Sequence, residues 1–321
     1  MSMLSRVAET LYWLARYVER AENTARVLNV NTHLLLDTGR RAAVGWEPVI
    51  EILGLKEAFF DRFRNATERN AARYLIGDDG QPGVIVGALG AARENARTVR
   101  DFLPQEAWEH LNELHHRAVA EAAAGVTQRG RHDYLTTVIR GAQTLTGLLA
   151  GTMTHDEGYM FLRAGRNLER TDMTTRIIDV RSASLLPDEA GNLPPFEAIQ
   201  WLSVLKSLSA HQMFRRRRAG PPRRETVLDF LLREPLFPRS CGHGLGELAD
   251  CLATLPRNDR PLRAVAALQR QVDDADPSRL DPVALHTFID ELQIGLIEVH
   301  RQMEQTWFRP GVDYSDQRNR E

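Results

Sequence analysis

Apolar residues recur at alternating spacings of three and four through the first thirty positions. Leu11, Leu14, Val18, Ala21, Ala25 and Leu28 make one seam, the pattern of an amphipathic helix that buries a single stripe. A polar stripe of Arg16, Glu19, Arg20, Asn23 and Thr24 runs beside it, at offsets 0, 3, 4, 7 and 8. Ser5 is placed to help start this helix, although its spacing to Glu9 is not that of a capping box. Further helices are predicted over Ala91–Arg100, Gln105–Ala124, Asp133–Met153, Pro195–Arg218, Arg224–Leu232, Gly244–Leu255, Arg260–Asp273 and Pro282–Phe308. Runs of Val, Ile and Thr with period two are scarce. Gly, Pro and Asp clusters at Gly77–Gly83, Leu186–Pro195, Ala219–Pro222 and Asp273–Pro277 mark turns. The polar tail after Pro310 is expected to fray. The fold class that follows is an all-α bundle.

The first pattern returns 150 residues later. Arg16 falls on Arg166, Glu19 on Glu169, Arg20 on Arg170, Glu22 on Asp172, Thr24 on Thr174 and Arg26 on Arg176. Leu11, Val18, Leu28 and Val30 fall on Phe161, Leu168, Ile178 and Val180. Six residues further out of phase, Tyr74-Leu75 meets Phe230-Leu231, Pro82 meets Pro238, and Leu89-Gly90 meets Leu245-Gly246. The matched order points to an internal duplication. Its period is too long for a solenoid, so two pseudo-equivalent halves, 1–154 and 155–321, are expected to pack together as one unit.

Composition narrows the function classes. The chain has 321 residues, 43% apolar and 26% charged, with a net charge of −2. That is an ordinary globular balance, and it argues against wholesale nucleic-acid binding. Lys56 and Lys206 are the only lysines, so the cationic chemistry belongs to Arg, which serves neither as a base nor as a Schiff-base amine. Two cysteines, Cys241 and Cys251, without CxxC spacing imply neither a disulfide framework nor a thiolate zinc site. With Glu9 and Arg16 interrupting the start and no run of 18 uncharged apolar residues, a signal peptide and a membrane span are not expected. A cytoplasmic location is the default.

The repeated Glu-Arg pairs carry the candidate chemistry. Within the first helix, Glu19 lies between Arg16 and Arg20, and Glu22 faces Arg26 at i, i+4. One reading is a structural ion-pair network at the junction of the halves, in which Glu19 meets Arg170 and Glu169 meets Arg20. The other is an anion pocket in which Arg16, Arg20, Arg166 and Arg170 grip a carboxylate or phosphate. Glu113-Leu114-His115-His116 holds one E-x-x-H step, but a helical-bundle dinuclear site needs two with two further carboxylates, so no metal is expected. Arg215–Arg218 with Arg223 and Arg224 make a basic cluster without interleaved aromatics to stack bases; an acidic protein partner fits it as well as a phosphate. Gly242 to Gly246 is not GxGxxG, and there is no P-loop. Cys241 and His243, two apart, do not share a helix face. No cofactor is implied.

Several blocks in order resemble a known family. Leu4-Ser5-Arg6-Val7-Ala8-Glu9, Leu11-Tyr12-Trp13 and Tyr17-Val18-Glu19-Arg20-Ala21-Glu22-Asn23 resemble the opening of the alpha-E family, a bacterial all-helical family named for its Glu-Arg motif. Ala92-Arg93-Glu94-Asn95-Ala96-Arg97, Arg100-Asp101, Trp108-Glu109 and Leu111-Asn112 are similar to its second block. Phe161 to Arg170, Phe230-Leu231-Leu232 and Phe237-Pro238-Arg239-Ser240 extend the likeness over nearly the whole chain. Thr10 and Ala15 depart from it, where Asn and Gly are expected. The resemblance implies a partner more than a reaction. Such genes accompany, or are fused to, a circularly permuted ATP-grasp protein, often with a transglutaminase-like protease. ATP-grasp enzymes join a carboxylate to an amine through an acyl phosphate, so the implied role is a non-catalytic subunit of a peptide-making ligase system. The alternatives are an enzyme using Glu19 or Glu169 in a cleft, and a phosphate- or anion-binding module. The residues singled out are Arg16, Glu19, Arg20, Glu22, Arg26, Arg166, Glu169, Arg170, Asp172 and Arg176, with Arg93, Glu94, Asn95, Arg97 and Arg239 next.

Overall fold

A computed structural model describes residues 3–38, 45–78, 81–183, 194–218 and 220–309. Among these the chain is helical almost throughout: α1 (Ser5–Thr38), α2 (Glu47–Ile52), α3 (Lys56–Phe60), α4 (Glu68–Ile76), α5 (Val84–Thr98), α6 (Gln105–Val126), α7 (Gln128–Thr152), α8 (Glu157–Ala183), α9 (Pro194–Ser207), α10 (His211–Arg217), α11 (Arg224–Arg233), α12 (Cys241–Ala253), α13 (Asp259–Asp273) and α14 (Pro282–Met303). The extended pairing among the described residues is two residues a side, Gly77–Asp78 against Gln81–Pro82. The tail after Pro310 lies outside the described residues.

Two long helices form the centre. α1 packs along α8, α5 and α7, while α8 also packs on α12 and α14. Contacts between α1 and α8 advance together along both: the Met3 amide donates to Glu157, and Arg16 and Arg20 reach Glu169. The two helices therefore run parallel. Their backbones approach closely where Gly165 lies against α1; a Cβ there would sit 2.3 Å from the Tyr12 carbonyl oxygen. The apolar seam Leu11, Leu14, Val18, Ala21, Ala25 and Leu28 is buried. So are Glu19, Asn23 and Thr24 of the polar stripe, and Glu22 beside it. α1 is covered on more than one face, and its polar side chains must find partners inside the protein.

The helix predicted over Pro195–Arg218 is two helices. Ser209, at φ 53°, ends α9: its amide donates to Lys206 O and the Ala210 amide to Leu205 O, the paired bonds of a Schellman cap. The same closure ends α2, where Gly54 at φ 67° donates to Glu51 O and Leu55 to Ile50 O. Phe59 and Phe214 follow at the same distance, and both are buried. The sequence reading has no helix over α2 and α3. α5 starts seven residues before the predicted Ala91, and α12 starts at Cys241, behind an N-cap at Ser240 whose hydroxyl accepts from the His243 amide.

Candidate functional site

A buried charged layer sits where α1 crosses α8. Glu19, 2% exposed, receives both arms of the Arg170 fork, Nε to Oε1 at 2.9 Å and Nη2 to Oε2 at 2.7 Å. Arg239 enters from the turn before α12. Its Nη1 donates to Asn23 Oδ1 at 2.6 Å and lies 3.1 Å from Glu19 Oε1, and its Nη2 donates to Glu22 Oε1 at 2.7 Å. Arg26 takes the same Glu22 oxygen through Nε and Nη2 and donates to Ser209 Oγ through Nη1. The Thr174 hydroxyl donates to the Arg239 carbonyl at 3.0 Å. This end is closed.

The expectation that Glu19 is held between Arg16 and Arg20 on its own helix is corrected here. Both arginines reach across to α8 instead: Arg16 Nε donates to Glu169 Oε2 at 2.8 Å, and Arg20 donates through Nε to Oε1 at 2.6 Å and through Nη2 to Oε2 at 3.1 Å. An Arg and a Glu three or four residues apart on one helix are neighbours, but burial makes a bidentate fork from the facing helix the better solvation. The crossed pairing expected at the junction, Glu19 with Arg170 and Glu169 with Arg20, is what the geometry has. Asp172 pairs with Arg176 at 2.8 Å, as Glu22 does with Arg26.

The Glu169 end is open. A cleft of about 470 Å³ lies against it, walled by Tyr17, Arg20 and Thr24 of α1, by Glu169, Asp172 and Arg176 of α8, and by Gly54 and Gly87. That volume is in the range of small-ligand sites. Arg20 is 35% exposed there, while Glu169 is 3% exposed. Arg166, the counterpart of Arg16, makes no ion pair with Glu19. Its Nε has no partner among the described residues, and it borders a cavity of about 30 Å³ beside Glu19 and Arg163. Burial, then Arg170, lowers its pKa.

Burial alone would raise the carboxyl pKa values of the layer. At Glu19 the guanidiniums of Arg170 and Arg239 outweigh it and bring the value down to about 2. Arg16 and Arg20 likewise lower Glu169 against its burial. Beneath Glu169, Arg16 donates to the Tyr12 hydroxyl, which bonds His300 Nδ1 at 2.9 Å. Burial and Arg16 hold His300 down to about 4, so it is a neutral acceptor near pH 7. The unfolded chain takes up that proton below its ordinary value of about 6.5, so stability falls as pH drops from about 6.5 to 4. The Glu19 contribution is present above its unfolded value and is lost as pH falls toward 2. Urea midpoints at pH 7.5 and 5 check this: His300→Gln, whose amide still accepts from Tyr12, is expected to shrink the difference. An equal difference in the variant would exclude His300 as its source.

The other singled-out residues lie elsewhere. Arg93, Glu94, Asn95 and Arg97 are on α5, where Arg93 donates to Asn112 and Glu94 bridges Arg93 and Arg97 at the surface. They stand apart from the layer that Arg239 joins. Cys241 is buried, which pushes its thiol up to about 12, and His243 bonds the Pro235 carbonyl. The Arg215–Arg218 cluster is partly paired, Arg217 with Glu234 and Arg218 with Asp229. Asp179, His286 and Asp290 bring ligand atoms within 4.8 Å of one another. The Asp179 hydrogen bond raises the proton affinity of that exposed imidazole, and sequence reading singled out none of the three. It also missed the cleft walls Gly54 and Gly87, and Arg131, 2% exposed and paired with Glu68.

Comparison with known proteins agrees with the helical fold. The family Alpha-E, described as a predicted alpha-helical domain with a conserved ER motif, matches residues 3–308. An uncharacterized protein of Mycobacterium bovis is 27% identical over 93% of this chain and 35% of its own length. Uncharacterized proteins from two strains of Mycobacterium tuberculosis are 27% and 26% identical over the same shares. The chain thus spans about a third of the length of these curated relatives. No solved structure matches. No helix among the described residues is long and apolar enough to cross a membrane. The chain belongs to the Alpha-E family.

Proposed function

We propose that this Alpha-E chain is a non-catalytic binding subunit of an amide-bond-forming system, presenting its helical surface and the cleft beside Glu169 to a circularly permuted ATP-grasp ligase. One observation carries the reading: the cleft is walled by carboxylates already engaged by guanidiniums. Glu169 receives three N–H donors from Arg16 and Arg20. A general acid or base works best with a pKa near the operating pH, and a carboxylate held well below it is suited to positioning charge. The ligase link rests on the family resemblance. The partner would supply the acyl phosphate chemistry, in the cytoplasm where ATP is available, with a transglutaminase-like protease as a further associate. Relatives with about three times this length support a unit that works beside further polypeptide. The parallel α1 and α8 with crossed Glu-Arg pairs support reading 1–154 and 155–321 as pseudo-equivalent halves.

A second reading is an enzyme in the same pathway that uses Glu169 as an electrostatic clamp. It is favoured by the position of Glu169, rather than Glu19, on the open cleft.

Co-purification with the ATP-grasp protein of the same genome, followed by ATP consumption over an amino-acid and peptide panel, tests the proposal. A stable complex is expected, with ligation needing both proteins. A Cβ on Gly87 meets nothing within 4 Å, so Gly87→Leu fills the cleft without disturbing the core. It is expected to lower ligation about tenfold, a loss of about 1.4 kcal/mol, with melting unchanged or raised, since Leu is the better helix former. Failure of the two proteins to bind or to affect each other would overturn the reading.

A further inference from the structure

The closed end of the charged layer shows what the open end is shaped to hold. Arg239 is seated by four side chains: Glu19, Glu22 and Asn23 accept from or pair with its guanidinium, and Thr174 donates to its carbonyl oxygen. At the offset of 150 residues that relates α1 to α8, these positions are Glu169, Asp172, Met173 and Thr24. All four line the open cleft. The surroundings correspond as well. Arg26 reaches the αL residue Ser209, and Arg176 lies against the αL residue Gly54, with Nη1 2.9 Å from where a Cβ would stand.

Arg239 itself has no counterpart. At the offset of 156 residues that aligns Pro82 with Pro238, its place is taken by Gly83. No side chain fits there, because a Cβ would fall 2.2 Å from the Gly77 nitrogen. The cleft is therefore the Arg239 socket of the other half without its arginine. Thr24 adds a second, independent sign. It is fully buried, it borders the cleft, and its hydroxyl has no hydrogen-bond partner among the described residues. A buried hydroxyl left unpaired is unfavourable, and its equivalent Thr174 bonds the main chain of the seated arginine.

Resting on the binding role proposed above, we infer that the cleft is a socket for an arginine side chain presented by another polypeptide. Its guanidinium bonds Asp172, and its main-chain carbonyl accepts from Thr24. Asp172 is the acceptor because Arg16 already gives Glu169 the third guanidinium contact that Arg239 gives Glu19. Asp172 is 21% exposed and pairs through Oδ2 with Arg176, and an ionised carboxylate accepts several donors. The corresponding charges surround Arg239, with Arg26 and Arg170 where the cleft has Arg176 and Arg20, so a guanidinium among guanidiniums is an arrangement this protein already uses. A lysine ammonium lacks the planar fork, so arginine is expected to be preferred.

Calorimetric titration with blocked Ala-Arg-Ala, Ala-Lys-Ala and Ala-citrulline-Ala tests the inference. The arginine peptide is expected to bind about tenfold or more tighter than the other two. Thr24→Val and Asp172→Asn should each weaken it several-fold, and Gly87→Leu should remove it. If citrulline binds as well as arginine, or if inorganic phosphate or blocked Ala-Glu-Ala binds in its place and is lost in Gly87→Leu, the arginine assignment is overturned while the cleft stands as a binding site. If no probe binds and Gly87→Leu leaves the ligase complex and its rate intact, both the assignment and the binding role of the cleft fail. Should Gly87→Leu not fold, Thr24→Val, nearly isosteric, carries the same comparison.

Discussion

Glu19→Gln is expected to destabilise the protein by about 3–5 kcal/mol, the usual loss when one partner of a buried ion pair is removed. The amide keeps the shape of the side chain but leaves Arg170 and Arg239 facing each other without their shared carboxylate. Glu22 offsets part of this, since Arg239 also pairs with it. Equilibrium urea unfolding measures the effect. Glu169→Gln is expected to lose less, because Arg20 at that end is 35% exposed and can turn to water. A Glu19→Gln variant with an unchanged unfolding free energy would mean that the layer is not a structural network, and loss of partner binding in that same variant would assign Glu19 to the interface.

Gly165→Val is the second large effect, about 3 kcal/mol by overpacking. The residue lies where α1 and α8 touch, and the clash is with backbone: a Cβ would stand 2.3 Å from the Tyr12 carbonyl oxygen and 3.2 Å from the Tyr12 ring. The backbone oxygen cannot rotate away, so the helices must separate and the Glu-Arg forks that follow, Arg16 and Arg20 to Glu169 and Arg170 to Glu19, must lengthen. Thermal unfolding of Gly165→Val against Gly147→Val separates this from helix propensity, since nothing lies within 4 Å of a Cβ on Gly147. Equal melting temperatures for the two variants would contradict the close crossing.

The central helices were legible because their signal is local and repeated. The seam from Leu11 to Leu28 and its echo from Phe161 to Ile178 announce two similar helices, and two copies of one Glu-Arg pattern make crossed pairing the natural way to compensate buried charge. What was not legible is the geometry made by short or absent features. α2 and α3 are six and five residues long, too short for a period to register. The break at Ser209 puts a serine where Gly is usual, so the residue type gave no warning. Arg239 stands 217 residues from Glu22 in the chain, and only packing reveals that it belongs to the layer rather than beside Arg93 and Arg97. Gly54 and Gly87 bring no side chain to the cleft wall, and Gly83 stands where the other half has Arg239; a pattern of residue types does not display a missing side chain.

Hydrogen exchange of the amide groups, measured on the chain alone and in mixture with the proposed ATP-grasp partner, tests the central claim that the cleft is the contact. Added protection is expected in 53–55 and 84–88 and along 169–176, the segments that wall it, and Gly87→Leu is expected to remove that protection. Protection confined to the outer face of α14 or to the basic residues of α10, with the cleft segments unchanged, would contradict it.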